Sequence, residues 1–401
     1  MTLKLFMKNP YIKEFTTKIS KITEKENQYL IELEKTAFYP EGGGQPTDIG
    51  LIGDSRVLHV FEENDRIIHV VDTLPSTIDK VICKIDWDRR FDFMQQHLGQ
   101  HILSGAFEKL FDAHTVGFHL TETTLTIDID KPLSNNDIET VEFYGNQIVF
   151  NDLQVSALFP DKQTLEDLPL RKQPKVDENI RIVKIDDFDC TPCCGTHPNR
   201  TGEVGMLKVK KVEKHRGGLR IYFNCGNRAF QDYSQKNNIV NSLSSTLSAK
   251  QEDILPSVEK LNESLYEMKK ELINIKKELS TYEGVKLLKD ADVIEGINVI
   301  STIYKDKNIN DIKVLLNNID ESLNYVAFIG IEQDDKCQLL FRRSTSLNEI
   351  DVSSILKKSI SLIDGKGGGS PISAQGGGKD IEKLHDSIKL AKDTLTQILS
   401  I

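Results

Sequence analysis

Two histidines four residues apart, His97 and His101, and the run Cys193-Cys194-Gly195-Thr196-His197 far downstream are the residues of this chain best suited to chemistry. On an α-helix, residues at i and i+4 share a face, so His97 and His101 can reach one ion together. Cys193 and His197 offer a thiolate and an imidazole at the same spacing. A set of imidazoles and a thiolate suits Zn2+ better than oxygen-seeking Mg2+ or Ca2+. The neighbourhood of the second pair leaves other uses open: Cys190 and Cys193 form a CxxC that could be structural, and three crowded cysteines could be buried thiols. Only a fold can join the two halves.

The elements that must position them are partly legible. From Asp92 to about Asp112, Met94, Leu98, Ile102, Ala106 and Leu110 recur every fourth residue, which predicts a helix carrying both histidines on a neighbouring stripe. Before it, residues 1 to about 88 alternate β-like runs, such as Tyr29 to Leu33, Arg56 to Phe61 and Arg66 to Val71, with turn-rich segments, the pattern of a small β-barrel. After it, strands are expected at about 123–129 and 205–224, with a helix at 135–148.

Three separated motifs then bear on identity. Phe38 to Gly50 reads FYPEGGGQPTDIG, Asp86 to Ile102 reads DWDRRFDFMQQHLGQHI, and Cys193 to Gly205 reads CCGTHPNRTGEVG. In this order they resemble the alanyl-tRNA editing proteins of the AlaX type, free-standing relatives of the editing half of alanyl-tRNA synthetase. The resemblance is strong over about residues 1 to 230. It implies that His97, His101, Cys193 and His197 bind zinc. Cys194 stands where the synthetases often have Gly, which leaves Cys194 and Cys190 as alternative or supporting thiols. The Gly-rich loop 41–45 has a chemistry of its own. There Glu41 and Gln45 can hydrogen-bond substrate or water, and Gly42 to Gly44 let backbone approach closely; an ordinary tight turn is the plainer reading. Phe118, His119 and Thr121 fall where the family builds its amino-acid pocket, and a hydroxyl there would distinguish serine from alanine.

A net charge of −10 argues against a nucleic-acid partner only until its distribution is read. Lys208, Lys210, Lys211, Lys214, Arg216 and Arg220 form a basic run on a predicted strand, which the resemblance assigns to tRNA backbone contact. Six cysteines, three of them crowded beside a histidine, fit a metal site in a reducing compartment. No apolar run reaches transmembrane length and the first residues do not read as a secretory signal, so a cytoplasmic protein without a membrane partner is expected.

Further on, Leu243, Leu247, Ile254, Val258, Leu261, Leu265, Met268, Leu272, Ile275 and Leu279 fall at spacings of three, four and seven, a heptad seam. Pro256 predicts one helix ending near Asp253 and another beginning near Pro256. The seam fits either a hairpin within one chain or a homodimer. Beyond residue 290 the pattern is β at 297–302, helix at 310–318, β at 324–330 and 337–342, and helix at 350–363. The glycine clusters Gly367, Gly368, Gly369 and Gly376, Gly377, Gly378 follow, with a last helix from about Asp380. This part resembles the DHHA1-type domain. By that resemblance the glycines form a loop opening onto a helix and present backbone N–H groups to phosphate, rather than a flexible linker.

The expected fold is α+β in four segments: 1–88 a β-barrel, 89–232 a zinc-containing editing domain, 233–288 a helical coiled-coil segment, and 289–401 a DHHA1-like tRNA-binding domain. The expected activity is trans-editing, hydrolysis of the ester linking a wrongly attached serine or glycine to tRNA for alanine. A zinc-stabilised tRNA-binding protein without catalysis is the alternative. A complete alanyl-tRNA synthetase is not expected, because the chain opens at the barrel, and a DHH-type phosphoesterase lacks support because the Asp-His-His motif is missing.

Overall fold

A computed structural model describes residues 2–25, 28–174, 176, 180–305 and 307–400. The chain divides into two compact units, Met1–Ser245 and Thr246–Ile401, a coarser division than the four segments read from sequence.

The first unit begins with seven strands in one antiparallel sheet, in the order Glu14–Thr17, Val81–Ile85, Gly50–Ile52, Ser55–Glu63, Arg66–Val71, Gln28–Leu33, Ile19–Lys25. Alternating buried residues such as Val57, Val60, Ile67, Val71, Ile31 and Leu33 form its core, as period-2 patterning requires. The expected barrel is not closed by hydrogen bonds: the two end strands are consecutive in sequence, yet no ladder joins them among the described residues. The short runs at 14–17, 50–52 and 81–85 escaped sequence reading because each is too brief for its alternation to stand out.

The helix Trp87–Phe111 follows directly, capped at its start by Asp86, whose carboxylate accepts from the Arg89 N–H, and at its end by Asp112 in a left-handed conformation. It starts earlier than the apolar stripe suggested. It is also buried along its middle, every residue from Phe93 to Phe107 included, because a four-stranded antiparallel sheet (Thr115–Leu120, Leu125–Ile129, Gly218–Cys225, Leu207–His215) and the helix Asn135–Phe150 close over it. Its polar side chains are therefore paired inside. Gln96 donates to the Cys225 carbonyl and accepts from the Cys225 N–H, and Gln95 donates to the Glu203 carbonyl. The expected strand at 205–224 is a hairpin turning at Arg216 and Gly217, both with positive φ. A third sheet of Val155–Leu158, Ile182–Ile185 and Asp189–Pro192 delivers the cysteine run.

In the second unit, the helix Ile254–Lys289 has Pro256 in its first turn, where the missing N–H costs nothing. The preceding helix, Gly226–Leu247, ends earlier than Asp253. The seam residues Leu261, Leu265, Met268, Leu272, Ile275 and Leu279 are exposed. A six-stranded mixed sheet follows, in the order Asp292–Ile294, Ile297–Lys305, Tyr325–Glu332, Cys337–Arg343, Ser373–Gly378, Lys366–Gly369. Apolar clusters pack its faces against the helices Ile309–Asn317, Val352–Ile360 and Leu384–Leu399.

The glycine clusters correct their expected form. They are two paired strands, with Gly367 opposite Gly376 and Gly369 opposite Ala374, and Ser373–Gly378 is sandwiched between two neighbours. Their ladder N–H groups point at other strands and do not open a helix. Close packing explains the composition: a Cβ on Gly376 would lie 2.1 Å from Ile360 Cδ1. Among the described residues, no helix is long and apolar enough to cross a membrane.

Candidate metal centre

The fold joins the two ligand pairs. His97, His101, Cys193 and His197 put one donor atom each within 4.8 Å of one another. Cys193 Sγ lies 3.5 Å from both His97 Nε2 and His197 Nε2. The His197 ring sits 4.6 Å from that of His97 and 4.9 Å from that of His101, centroid to centroid. The histidine helix supplies two ligands from consecutive turns, and the segment after the strand Asp189–Pro192 supplies the others. Gly195 is required there by proximity, since a Cβ would stand 2.2 Å from His97 Cε1. Arg181 holds the same segment by donating to the Cys193 and Gly195 carbonyls, each at 2.8 Å.

The outer faces of the imidazoles differ. His97 Nδ1 lies 2.9 Å from Gln45 Oε1, and Gln45 is itself fixed by the Thr196 hydroxyl and N–H. His101 Nδ1 faces the Asp189 carboxylate at 3.3 Å. Both arrangements turn Nε2 toward the centre. His101 Nε2 then has no hydrogen-bond partner among the described residues although buried, an arrangement costly for a core histidine and natural for a metal ligand. The electrostatics agree. Burial pushes the Cys193 thiol up, but the imidazoles of His97, His197 and His101 outweigh it and hold the thiol well below its ordinary value. Burial would lower His101, yet the Cys193 thiolate and Asp189 raise it to about 9. His197, where burial prevails, falls to about 3. The residues present fit a metal ion.

The remaining expected residues are distributed unevenly around this centre. Gln45 is buried and spent on His97 and Thr196, so it positions a ligand and is not free for substrate. Gly42 and Gln45 exchange hydrogen bonds across a tight turn with Gly43 and Gly44 at positive φ, the turn that adjacent glycines favour. Glu41 is exposed, 3.6 Å from His59. Phe118 stacks on His97 at 5.3 Å. His119, next along the strand, must face the opposite way and is exposed, so it does not join Phe118 at the centre. The Thr121 hydroxyl is engaged within its own turn, accepting from the N–H groups of Thr123 and Thr124. Cys190 is buried and Cys194 exposed, both outside the four-ligand group.

Most of the basic run carries carboxylate partners: Lys208 with Glu142, Lys210 with Asp232, Lys211 with Glu213, and Arg220 with Asp128. Arg216, at the hairpin turn, has no ion pair among the described residues.

Asp189 was missed in the sequence. The available signal was its place in the strand beside Cys190, since a metal-bound histidine needs an outer acceptor and carboxylates are common ones. Asp48 and Arg90 were missed too. They form a fully buried ion pair, with Arg90 also donating to the Pro10 and Ala37 carbonyls, that pins the start of the histidine helix to the Phe38–Gly50 loop.

Comparison with known proteins accords with this geometry. Residues 180–222 match a family model described as the threonyl and alanyl tRNA synthetase second additional domain, residues 296–397 the DHHA1 domain, and residues 6–89 the tRNA synthetases class II (A). The alanyl-tRNA editing protein AlaX-L of Pyrococcus horikoshii is 33% identical over 390 residues, covering 94% of either chain. Alanyl-tRNA editing protein Aarsd1 of Rattus norvegicus is 26% identical over 97% of both. An alanine–tRNA ligase of Ignicoccus hospitalis is 28% identical over 92% of this chain but only 40% of its own length. With a relative 33% identical along 94% of both chains, the chain belongs to the alanyl-tRNA editing protein family.

Proposed function

We propose that this chain is a trans-editing hydrolase that removes serine or glycine from tRNA for alanine, with Zn2+ held by His97, His101, Cys193 and His197. As a member of the editing family it is an aminoacyl-tRNA deacylase, a carboxylic ester hydrolase, and the alternative of a non-catalytic tRNA-binding protein is not favoured. The observation that carries the metal is the 3.5 Å separation of Cys193 Sγ from two imidazole nitrogens. It equals the S···N edge of about 3.5 Å expected for tetrahedral Zn with S at about 2.3 Å and N at about 2.0–2.1 Å.

Bound zinc supplies Lewis acidity, an activated water or an anchor for the amino acid. The chain's own residues do the rest. Gln45 and Asp189 hold the tautomers of His97 and His101. Phe118, stacked on His97, gives the centre an apolar wall that excludes water. The turn at Gly42 to Gly44 brings backbone close to Phe118 and offers Glu41 toward solvent, where substrate or water would be bound.

Arg216, Lys208, Lys210, Lys211 and Arg220 are proposed to contact tRNA phosphates, the lysines by exchanging carboxylate partners for phosphate. Exposed ion pairs are worth only about 0–1 kcal/mol, so the exchange costs little. Gly367 to Gly369 would meet tRNA through the sheet edge at Lys366–Gly369, with Gly376 to Gly378 in the paired strand behind it supporting that edge. Pairing of two chains along the exposed heptad seam and a cytoplasmic location complete the reading.

The test is deacylation of seryl-, glycyl- and alanyl-tRNA for alanine, with and without a zinc chelator. Chelator-sensitive loss of serine or glycine with alanine spared supports the proposal. Equal hydrolysis of all three overturns it.

A further inference from the structure

The three imidazoles of the metal cluster are not anchored alike. His97 rests on a neutral amide, Gln45. His197 Nδ1 is buried with no partner among the described residues. His101 rests on Asp189, whose side chain is only 1% exposed and is held from three directions. Arg171 Nε donates to Oδ1 at 2.6 Å and Nη2 to Oδ2 at 3.3 Å, and the Thr191 hydroxyl lies 3.1 Å from both oxygens. Asp189 and Thr191 share one face of their strand. Arg171 is tied to that strand a second time, its N–H donating to the Cys190 carbonyl.

We infer that Asp189, clamped by Arg171 and Thr191, is a positioning residue that fixes His101 as the firmest ligand of the metal centre. A carboxylate behind a ligating imidazole fixes ring orientation and increases the electron density offered to the ion, and such outer partners are worth about 10- to 100-fold in metal affinity. A bare carboxylate here would be a buried unpaired charge. The guanidinium of Arg171 neutralises it, with its shorter bond to Oδ1, while Oδ2 also faces His101 Nδ1 at 3.3 Å. Arg171 and Asp189 also line a cleft of about 680 Å3 with Lys109, Lys184 and Phe188, away from the ligand atoms. The clamp therefore works from the outer side of the centre and leaves the substrate side clear.

This inference rests on the metal assignment of the proposed function. The zinc dissociation constant is measured by competition with a chromophoric chelator on the full chain, for the wild type, Asp189→Asn, Arg171→Gln and Asp187→Asn. Absence of zinc binding by the wild type would defeat the metal assignment itself. With wild-type binding near one zinc per chain, Asp189→Asn should weaken affinity about 10- to 100-fold and Arg171→Gln measurably but by less. Asp187→Asn, on an exposed carboxylate of the same cleft, should change nothing. The absorption of the cobalt-substituted Asp189→Asn protein should keep its thiolate charge-transfer band, because the ligands are unchanged. A purely structural role would lower the melting temperature of the metal-free chain and leave the zinc affinity of the folded protein as it was. Wild-type affinity in Asp189→Asn overturns the inference. If that variant does not fold, wild-type affinity in Arg171→Gln overturns it instead.

Discussion

The core of Met1–Ser245 encloses three cluster histidines and His69, the carboxylates of Asp48 and Asp189, the guanidinium groups of Arg90 and Arg181, and several buried glutamines. The core of Thr246–Ile401 holds mainly aliphatic and aromatic side chains. Its buried polar residues, among those described, are Arg343, Ser344, Ser353, Ser359, Ser387 and Thr394, and Arg343 donates only to backbone carbonyls. Both units are built of sheets covered by helices, so the difference is one of purpose. Buried polar groups cost stability unless each finds a partner, and a protein concentrates that cost where it needs fixed dipoles and ligands. The stability of the first unit should accordingly answer to metal and pH, and that of the second to packing.

The largest effect that would break this contrast is at the metal. His101→Ala or Cys193→Ala should take bound zinc from about one per chain to a small fraction and lower deacylation by more than about a hundredfold, exceeding what an outer partner alone contributes. Cys190→Ala should retain zinc. Metal analysis of the purified variants decides it, and full occupancy in both ligand variants would remove the cluster from the account.

Next comes the buried ion pair. Arg90→Met leaves Asp48 charged beneath the loop without its cation, holding the Tyr39 N–H, which should cost about 3–5 kcal/mol in urea unfolding. Adding Asp48→Leu should recover part of the loss.

The pH arm of the contrast rests on His69, which burial lowers to about 4 from 6.5 while it bonds with Thr36 Oγ1 and the Ile31 carbonyl. Between those values the unfolded chain takes up the proton and the folded chain does not. Its contribution is therefore complete above pH 6.5 and is lost as pH falls toward 4, to a total of about 3 kcal/mol. His69→Gln should flatten that slope relative to the wild type. An identical slope would show that other groups set the acid sensitivity.

In the second unit, Gly376→Ala places a methyl against Ile360 and should cost about 1–3 kcal/mol, as overpacking does. Zinc content should be unchanged. Smallest of all, Thr121→Val should cost about 1 kcal/mol through its turn and leave the ratio of seryl to alanyl hydrolysis unaltered. A changed ratio would bring Thr121 back into the substrate pocket.

Spacing marked His97 with His101 and Cys193 with His197 as candidate ligand pairs, because ligand chemistry restricts residue type before any fold is known, and the family resemblance joined the two pairs into one set. Long elements with clean periodicity, such as the histidine helix, the strands at 29–33 and 66–71 and the heptad helix, were legible for the same local reason. Which polar residue stands behind each ligand was not. Gln45 lies 52 residues from His97 and Asp189 lies 88 from His101, so neither pairing is visible as a spacing along the chain. The glycine clusters looked like a loop because glycine by itself signals backbone freedom; only the helix ending at Ile360, packed against them, turned that freedom into two closely approached strands. Strand direction likewise separated Phe118 from His119, a distinction of one residue that composition cannot express. The sequence determined which side chains could bind a metal, since that is a property of their atoms. The tertiary structure decided which of them are held, and by what, since that depends on distances set by segments remote along the chain.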